Sequence, residues 1–260
     1  MDKISLFKIG GKVIDNPSYL ASFLKRFSDL EGAKILVHGG GIIADQMAKR
    51  LDIVTEMHEG RRITSRAMRD LVTMVYGGQI NKMLVADLQR FGCDAVGFTG
   101  ADAGLVRSKR RAPKPVDFGY VGDVTSVRTD MLIKLLRLNL TPVFAPLSFD
   151  EEILNTNADA IAGALAQGLS AHYEVHMLYC FEQAGVMLDL NDTASLIEVL
   201  DRNYYQKLLD DNVITAGMLP KLKECFRALE GGVQNIVLAE AGACLDHAEG
   251  KAFRGTRIAL

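Results

Sequence analysis

Lys8 stands just ahead of Gly10-Gly11, at the end of the short apolar run Ile4–Ile9. Gly39-Gly40-Gly41 follows a second such run, Lys34–His38. Glycine permits positive φ and lets a ligand approach the backbone amides closely. The Gly39–Gly41 turn also precedes a helical pattern, so its N–H groups and the helix dipole favour an anion. Two such turns with a lysine between them suit a phosphate or a carboxylate. A tight strand-to-helix turn would use the same glycines, and either turn taken alone leans to that simpler use.

Three more clusters could do chemistry. Asn155-Thr156-Asn157-Ala158-Asp159 opens a helix, where one Asn or Asp suffices as a cap. The surplus is either incidental or functional. Gly217-Met218-Leu219-Pro220-Lys221 puts a proline in a first helical turn, where its missing N–H costs little. A lysine there opposes the macrodipole unless an anion or carboxylate partners it. Gly60-Arg61-Arg62-Ile63-Thr64 offers two arginines, the usual fork for a carboxylate, although solvated surface arginines are commoner. Among the histidines only His172 and His176 have i, i+4 spacing, and they read as flanking a strand rather than binding metal. Cys93, Cys180, Cys225 and Cys244 form no C-x-x-C pair and read as reduced, buried thiols of a cytoplasmic protein.

Several reaction classes drop out. There is no G-x-x-x-x-G-K-[ST] and no G-x-G-x-x-G after a strand. His38-Gly39-Gly40-Gly41 looks like the oxyanion turn of lipases, but no G-x-S-x-G elbow accompanies it, which argues against a hydrolase. Thirty Lys and Arg against 32 Asp and Glu leave a formal net charge of −2, unlike a non-specific nucleic-acid binder. Nor does that balance favour an anionic membrane surface. No apolar run is long enough to span a bilayer, and the start of the chain has no room for a secretory signal.

The positioning elements follow from periodicity. Ile4–Ile9 and Lys34–His38 read as buried strands, and Tyr19–Phe27 and Ile42–Leu51 as helices. That alternation is the grammar of a parallel sheet with helices on its faces. Ser65–Phe91 is helical with an interruption at Gly77-Gly78, and Gly100–Val124 reads as hairpins or a mobile flap. Met131–Leu138, Asn157–Leu169, Tyr204–Leu209 and Leu219–Leu229 read as helices. Thr141–Phe144, Val175–Tyr179 and Asn235–Leu238 read as strands. The 24 glycines against 6 prolines concentrate at strand ends and in the Gly100–Val124 segment. At 260 residues the chain is one large domain or two lobes, with a join near the end of the Asn157–Leu169 helix.

Together these pieces resemble the amino-acid kinase superfamily and, within it, the N-acetylglutamate kinase family. The carrying motifs are Phe7-Lys8-Ile9-Gly10-Gly11, Val37–Gly41, Gly60–Thr64, Gly119–Val124, Leu154–Asp159, Gly217–Lys221 and Gly255-Thr256-Arg257, in family order over nearly the whole chain. The resemblance implies an α/β fold, a three-layer sandwich around a mainly parallel central sheet in two lobes. Residues 1–170 would bind acylglutamate and form the dimer, and residues 171–260 would bind nucleotide. The implied reaction is ATP-dependent phosphorylation of the γ-carboxylate of N-acetyl-L-glutamate in arginine biosynthesis, with Mg²⁺ carried mainly on ATP oxygens.

By resemblance, Lys8 stabilises the phosphoryl group in flight, Lys221 neutralises the leaving ADP, and Asp159 holds both lysines. Gly40, Gly41, Arg62, Asn155 and Asn157 would meet the acylglutamate. Gly10, Gly11, Phe181, Gly185, Ile214, Thr215 and Gly217 would meet the nucleotide. The family's Thr-Asp or Ser-Asp pair is missing from Leu178–Val186, so different adenine and ribose contacts are expected there. Arginine-inhibited members carry an N-terminal helix ahead of the first strand, so a homodimer without arginine feedback is expected. An N-succinylglutamate substrate is an alternative, its extra carboxylate met by Arg61 or by Arg107, Lys109, Arg110 or Arg111. Another amino-acid kinase activity and a non-catalytic ligand sensor on the same fold are the remaining readings.

Overall fold

The computed structural model describes residues 1–189, 191–211, 213–214 and 218–260. Thr215 and Gly217, expected at the nucleotide, lie outside the described residues. The chain begins with β1 (Lys3–Ile9), α1 (Gly11–Ile14), α2 (Pro17–Asp29), β2 (Ala33–His38) and α3 (Gly41–Arg50). A small hairpin, β3 (Glu56–His58) and β4 (Arg61–Ile63), leads into α4 (Arg66–Val72), a π-helical segment (Thr73–Ile80) and α5 (Asn81–Arg90). Next come β5 (Ala95–Phe98), β6 (Val106–Arg110), β7 (Gly122–Val127), α6 (Thr129–Arg137), β8 (Thr141–Phe144), β9 (Leu147–Phe149) and β10 (Ile153–Asn155). The chain then forms α7 (Ala158–Leu169), β11 (Glu174–Phe181), β12 (Val199–Leu200), α8 (Arg202–Asp210) and α9 (Leu219–Glu230). It ends with β13 (Asn235–Glu240), α10 (Ala241–Ala248) and β14 (Thr256–Ile258).

Eight strands form one sheet in the order β12-β14-β13-β11-β1-β2-β8-β5, antiparallel only between β13 and β14. Side chains alternate across it with the strand period of two. Ile4 and Leu6 of β1 join one buried cluster with α7 and α9, while Phe7 and Ile9 join another with α2 and α10. Helices therefore cover both faces, giving the expected three-layer α/β sandwich with a mainly parallel sheet. Asn16 caps α2 by accepting from the Tyr19 amide, and Pro17 occupies its first turn. Phe23 and Phe27 on its buried face meet the Phe7 ring edge-on at 5.9 and 5.3 Å. Burying such side chains contributes about 1.5–3 kcal/mol each. Among the described residues, no helix is long and apolar enough to cross a membrane.

The structure corrects the expected break at Gly77-Gly78. The stretch from Arg66 to Arg90 is continuous, and its middle is π-helical. A π segment absorbs extra backbone without ending the helix. Gly77 lies where a Cβ would come within 3.2 Å of Thr99, so the glycine serves close packing there. Of the two readings of Gly100–Val124, the hairpin is present: β6 and β7 pair antiparallel within a second sheet ordered β10-β9-β6-β7. Gly100 is packed against the Ser148 backbone, where a Cβ would approach within 2.7 Å. All four cysteines are buried free thiols.

Candidate active site

Three charged side chains converge from three elements. Lys8 comes from the end of β1 on the face that carries Ile4 and Leu6. Asp159 is the second residue of α7, and Lys221 the third of α9. Asp159 receives the Lys8 ammonium at 2.7 Å on Oδ1 and that of Lys221 at 3.7 Å on Oδ2. All three side chains are at most 16% exposed. Burial pushes the Asp159 carboxyl up, but the two ammonium groups outweigh it and hold its pKa below the usual carboxylate range. Burial lowers the pKa of Lys221; Asp159 opposes that shift and Lys8 adds to it. The expected trio is thus assembled, with its carboxylate between its lysines.

The polar surplus at Asn155–Asp159 resolves into separate tasks. Asn157 is the cap of α7, its Oδ1 accepting from the Asp159 and Ala160 amides at 2.7 and 3.3 Å. Asn155 donates to the Thr64 hydroxyl at 3.0 Å, tying β10 to the residue after β4. Asp159 is left for the lysines.

Gly40, Gly41, Arg62, Asn155, Asn157 and Asp159 line a cavity of about 520 Å³, a size that suits a small ligand. Arg62 is held there by Asp45, with Nη1 to Oδ1 at 2.6 Å, and donates from Nη2 to the Gly41 carbonyl at 3.5 Å. A second cavity of about 260 Å³ is lined by Gly10, Gly11, Phe181, Ile42 and Glu182. Gly41 borders both cavities, which sets both against the turn between β2 and α3. Gly40 has φ +152°, and a Cβ there would strike Ile80 and the Tyr76 ring of the π segment. Only glycine lets this turn lie so close under that helix.

Gly185 and Ile214 line neither cavity. Gly185 is packed against Thr256 and Leu196, and Ile214 packs against the core cluster. Tyr76, Asp123 and Glu224 also line the cavity around Arg62, and Asp45 reaches it only through its bond to Arg62. Sequence reasoning passed over them because no local pattern distinguishes a cavity-facing Asp or Tyr from a surface or core one.

His38 has a structural task. Its Nδ1–H donates to the Gly39 carbonyl at 2.8 Å, and its Nε2 accepts from Asn81 Nδ2 at 3.2 Å. Burial pushes it down to about 4, with the Gly39 carbonyl opposing and Lys82 adding to the shift. His247 is also lowered to about 4, first by burial and then by His176. A folded-state pKa below the unfolded value means full stability above about 6.5, lost as pH falls toward 4. Unfolding free energy should therefore drop by about 3 kcal/mol through this window from His38 alone. Urea unfolding from pH 7 to 4 checks it; a slope unaltered by His38→Asn would refute the assignment. His176 bonds Glu174 at 2.9 Å within β11.

Comparison with known proteins completes the picture. Residues 3–240 match the amino acid kinase family. An acetylglutamate kinase of Parabacteroides distasonis is 44% identical over 93% of this chain and 95% of its own. One of Cytophaga hutchinsonii is 44% identical over 99% of each chain. The solved structure of smu.665 from Streptococcus mutans superposes with a TM-score of 0.80 at 25% identity, covering 98% of each chain. By fold, by site and by these relatives, the chain belongs to the amino acid kinase family and groups within it with the acetylglutamate kinases.

Proposed function

We propose that the protein transfers the γ-phosphoryl group of ATP to the γ-carboxylate of N-acetyl-L-glutamate, giving N-acetylglutamyl 5-phosphate for arginine biosynthesis. The observation that carries this reading is the Lys8–Asp159–Lys221 trio, with Asp159 lining one of two cavities that share Gly41. A carboxylate oxygen of the substrate attacks the γ-phosphorus, and the bond to the β,γ-bridging oxygen breaks, leaving ADP. Phosphoryl transfer needs positioning and charge neutralisation more than covalent help. Lys8 neutralises the oxygens in flight, and Lys221 takes the charge that grows on ADP. Asp159 spaces the two ammonium groups and offsets their repulsion. The amides of Gly11, Gly40 and Gly41 complete an anion cradle. Mg²⁺ accompanying ATP would supply further charge neutralisation, while the protein's own share comes from Lys8, Lys221 and the glycine amides. Among the described residues no cluster of three or more His, Cys, Asp or Glu could hold a metal.

In this reading residues 1–170 hold the acylglutamate and residues 171–260 the nucleotide, while β1 and β11 join them side by side in one sheet. We place the enzyme in the cytoplasm as a homodimer, for which light scattering should give the mass of two chains. Arg62 clamps the substrate α-carboxylate with help from Asn155. Trapping the acyl phosphate as a hydroxamate, with ATP and a panel of glutamate derivatives, tests the reaction; no product from any derivative would favour a ligand sensor. Arg62→Ala should raise KM for the acylglutamate about 100-fold, the scale of a lost charge-assisted fork, with little change in KM for ATP.

One observation favours a second substrate. Of the cations that could meet a succinyl carboxylate, Arg61 and Arg111 line the cavity that holds Arg62 and Asn155, whereas Arg107, Lys109 and Arg110 do not. Arg111 already forks onto Asp123. If N-succinyl-L-glutamate is used, Arg61→Ala should reduce kcat/KM for it about ten-fold more than for the acetyl compound. Equal losses would dismiss the succinyl reading.

A further inference from the structure

The two rings of the stretch Tyr179-Cys180-Phe181 share one cationic partner. Tyr179 and Phe181 alternate along β11 and turn to the face that carries Lys8. The Lys221 ammonium lies over both, 5.4 Å from the Tyr179 centroid and 5.5 Å from that of Phe181. Both distances are within reach of the ring quadrupole.

Lys221 needs such support. It sits in the first turn of α9, where the helix dipole opposes a cation. Burial and the Lys8 ammonium oppose its charge as well. Asp159 favours it, but from 3.7 Å rather than the 2.7 Å that Lys8 enjoys. Among the described residues, Cys180 on β11 and Cys225 within α9 also act on its charge, and the Tyr179 phenol lies beside it. A tighter bond to Asp159 would stabilise the charge yet occupy the N–H groups that a phosphate must use. Ring faces stabilise an ammonium without consuming its hydrogen bonds in that way.

We infer that Tyr179 and Phe181 are positioning residues for Lys221, forming an aromatic shelf that keeps its ammonium charged and aimed at the transferring phosphate. This rests on the phosphoryl-transfer reading above. Phe181 also borders the smaller cavity, so the shelf links nucleotide and lysine. Tyr179 is fully buried and lines neither cavity, so its effect must pass through Lys221.

The test compares Tyr179→Leu, Phe181→Leu and Tyr179→Phe in the whole protein, recording kcat against pH with both substrates saturating. Removing a ring face disfavours the charged form, so the Lys221 pKa falls and the alkaline limb of kcat moves to lower pH. Each leucine variant should shift that limb down by about 0.5–1 pH unit and lower kcat about ten-fold. KM for ATP should stay near the parent value in Tyr179→Leu, and Tyr179→Phe should restore both limb and rate. An unmoved alkaline limb in the leucine variants overturns the shelf. Should Tyr179→Leu fail to fold, the half-buried Phe181 still decides the matter. Lys221→Met separates the two levels: full activity in that variant sinks the role of Lys221 itself. An inactive Lys221→Met with unmoved limbs in the leucine variants removes only the aromatic contribution.

Discussion

A Lys8→Met enzyme should fold, bind ATP, and turn over about a thousand-fold more slowly than the parent. The methionine keeps the length of the lysine stem at the end of β1 and removes only the ammonium. Negative charge on the transferring oxygens must be met while bonds form and break, and Lys8 is the cation that Asp159 holds most tightly, at 2.7 Å. An interaction made mainly in the transition state lowers kcat and kcat/KM together and leaves substrate affinity near its starting value. The glycine turns at Gly10–Gly11 and Gly39–Gly41 remain to bind phosphates. Steady-state kinetics with hydroxamate trapping reads the effect. A large rise in KM for ATP with unchanged kcat would show that Lys8 serves ground-state binding instead.

Asp159→Asn should be the most damaging single change to stability among the site residues. It leaves two largely buried ammonium groups facing each other without a counter-charge. Removing one partner of a buried pair costs about 3–5 kcal/mol. The pH dependence carries its own signature. In the parent, the depressed Asp159 pKa contributes stability that is present above about pH 4 and lost as pH falls through the lower folded-state value. In the variant that acid limb disappears. Without the carboxylate that opposes its burial, the Lys221 pKa falls further below its unfolded value, so the unfolded chain binds more protons and stability rises with pH. Part of the loss at pH 7 should therefore be regained toward pH 9–10, which denaturant unfolding across that range would detect. Parent-like stability at pH 7 would mean that the two lysines do not depend on Asp159. Turnover should fall as well, because neither lysine keeps its place.

Much of this arrangement was legible in the amino-acid order because the signals were local. Strand runs with glycine turns, as at Ile4–Gly11 and Lys34–Gly41, and the amphipathic spacing of Tyr19–Phe27 all reappear as β1, β2 and α2. Thr141–Phe144 reappears as β8 without change. Other elements were missed where the signal was short or mixed. β12 has two residues, β9, β10 and β14 have three each, and β3 is exposed throughout. Such strands are specified by their neighbours rather than by their own composition. The π segment was hidden because Gly77-Gly78 weakens a helical pattern whether the helix ends or only widens.

The amino-acid order alone determined the parallel α/β architecture, the glycine turns at strand ends, and an inventory of site residues recognisable as a set. Hydrophobic periodicity and turn chemistry act within a few residues, so they survive in a linear reading. Only the tertiary structure decided which charges meet. Asp159 could have been one more capping residue, yet Asn157 takes the cap and frees Asp159 for Lys8 and Lys221. Tertiary structure also set Arg62 on Asp45, tied His38 to Asn81, and laid Lys221 over Tyr179 and Phe181. Each of these contacts joins elements distant in sequence. Their energies depend on separation, burial and orientation in space, and no local spacing encodes those quantities.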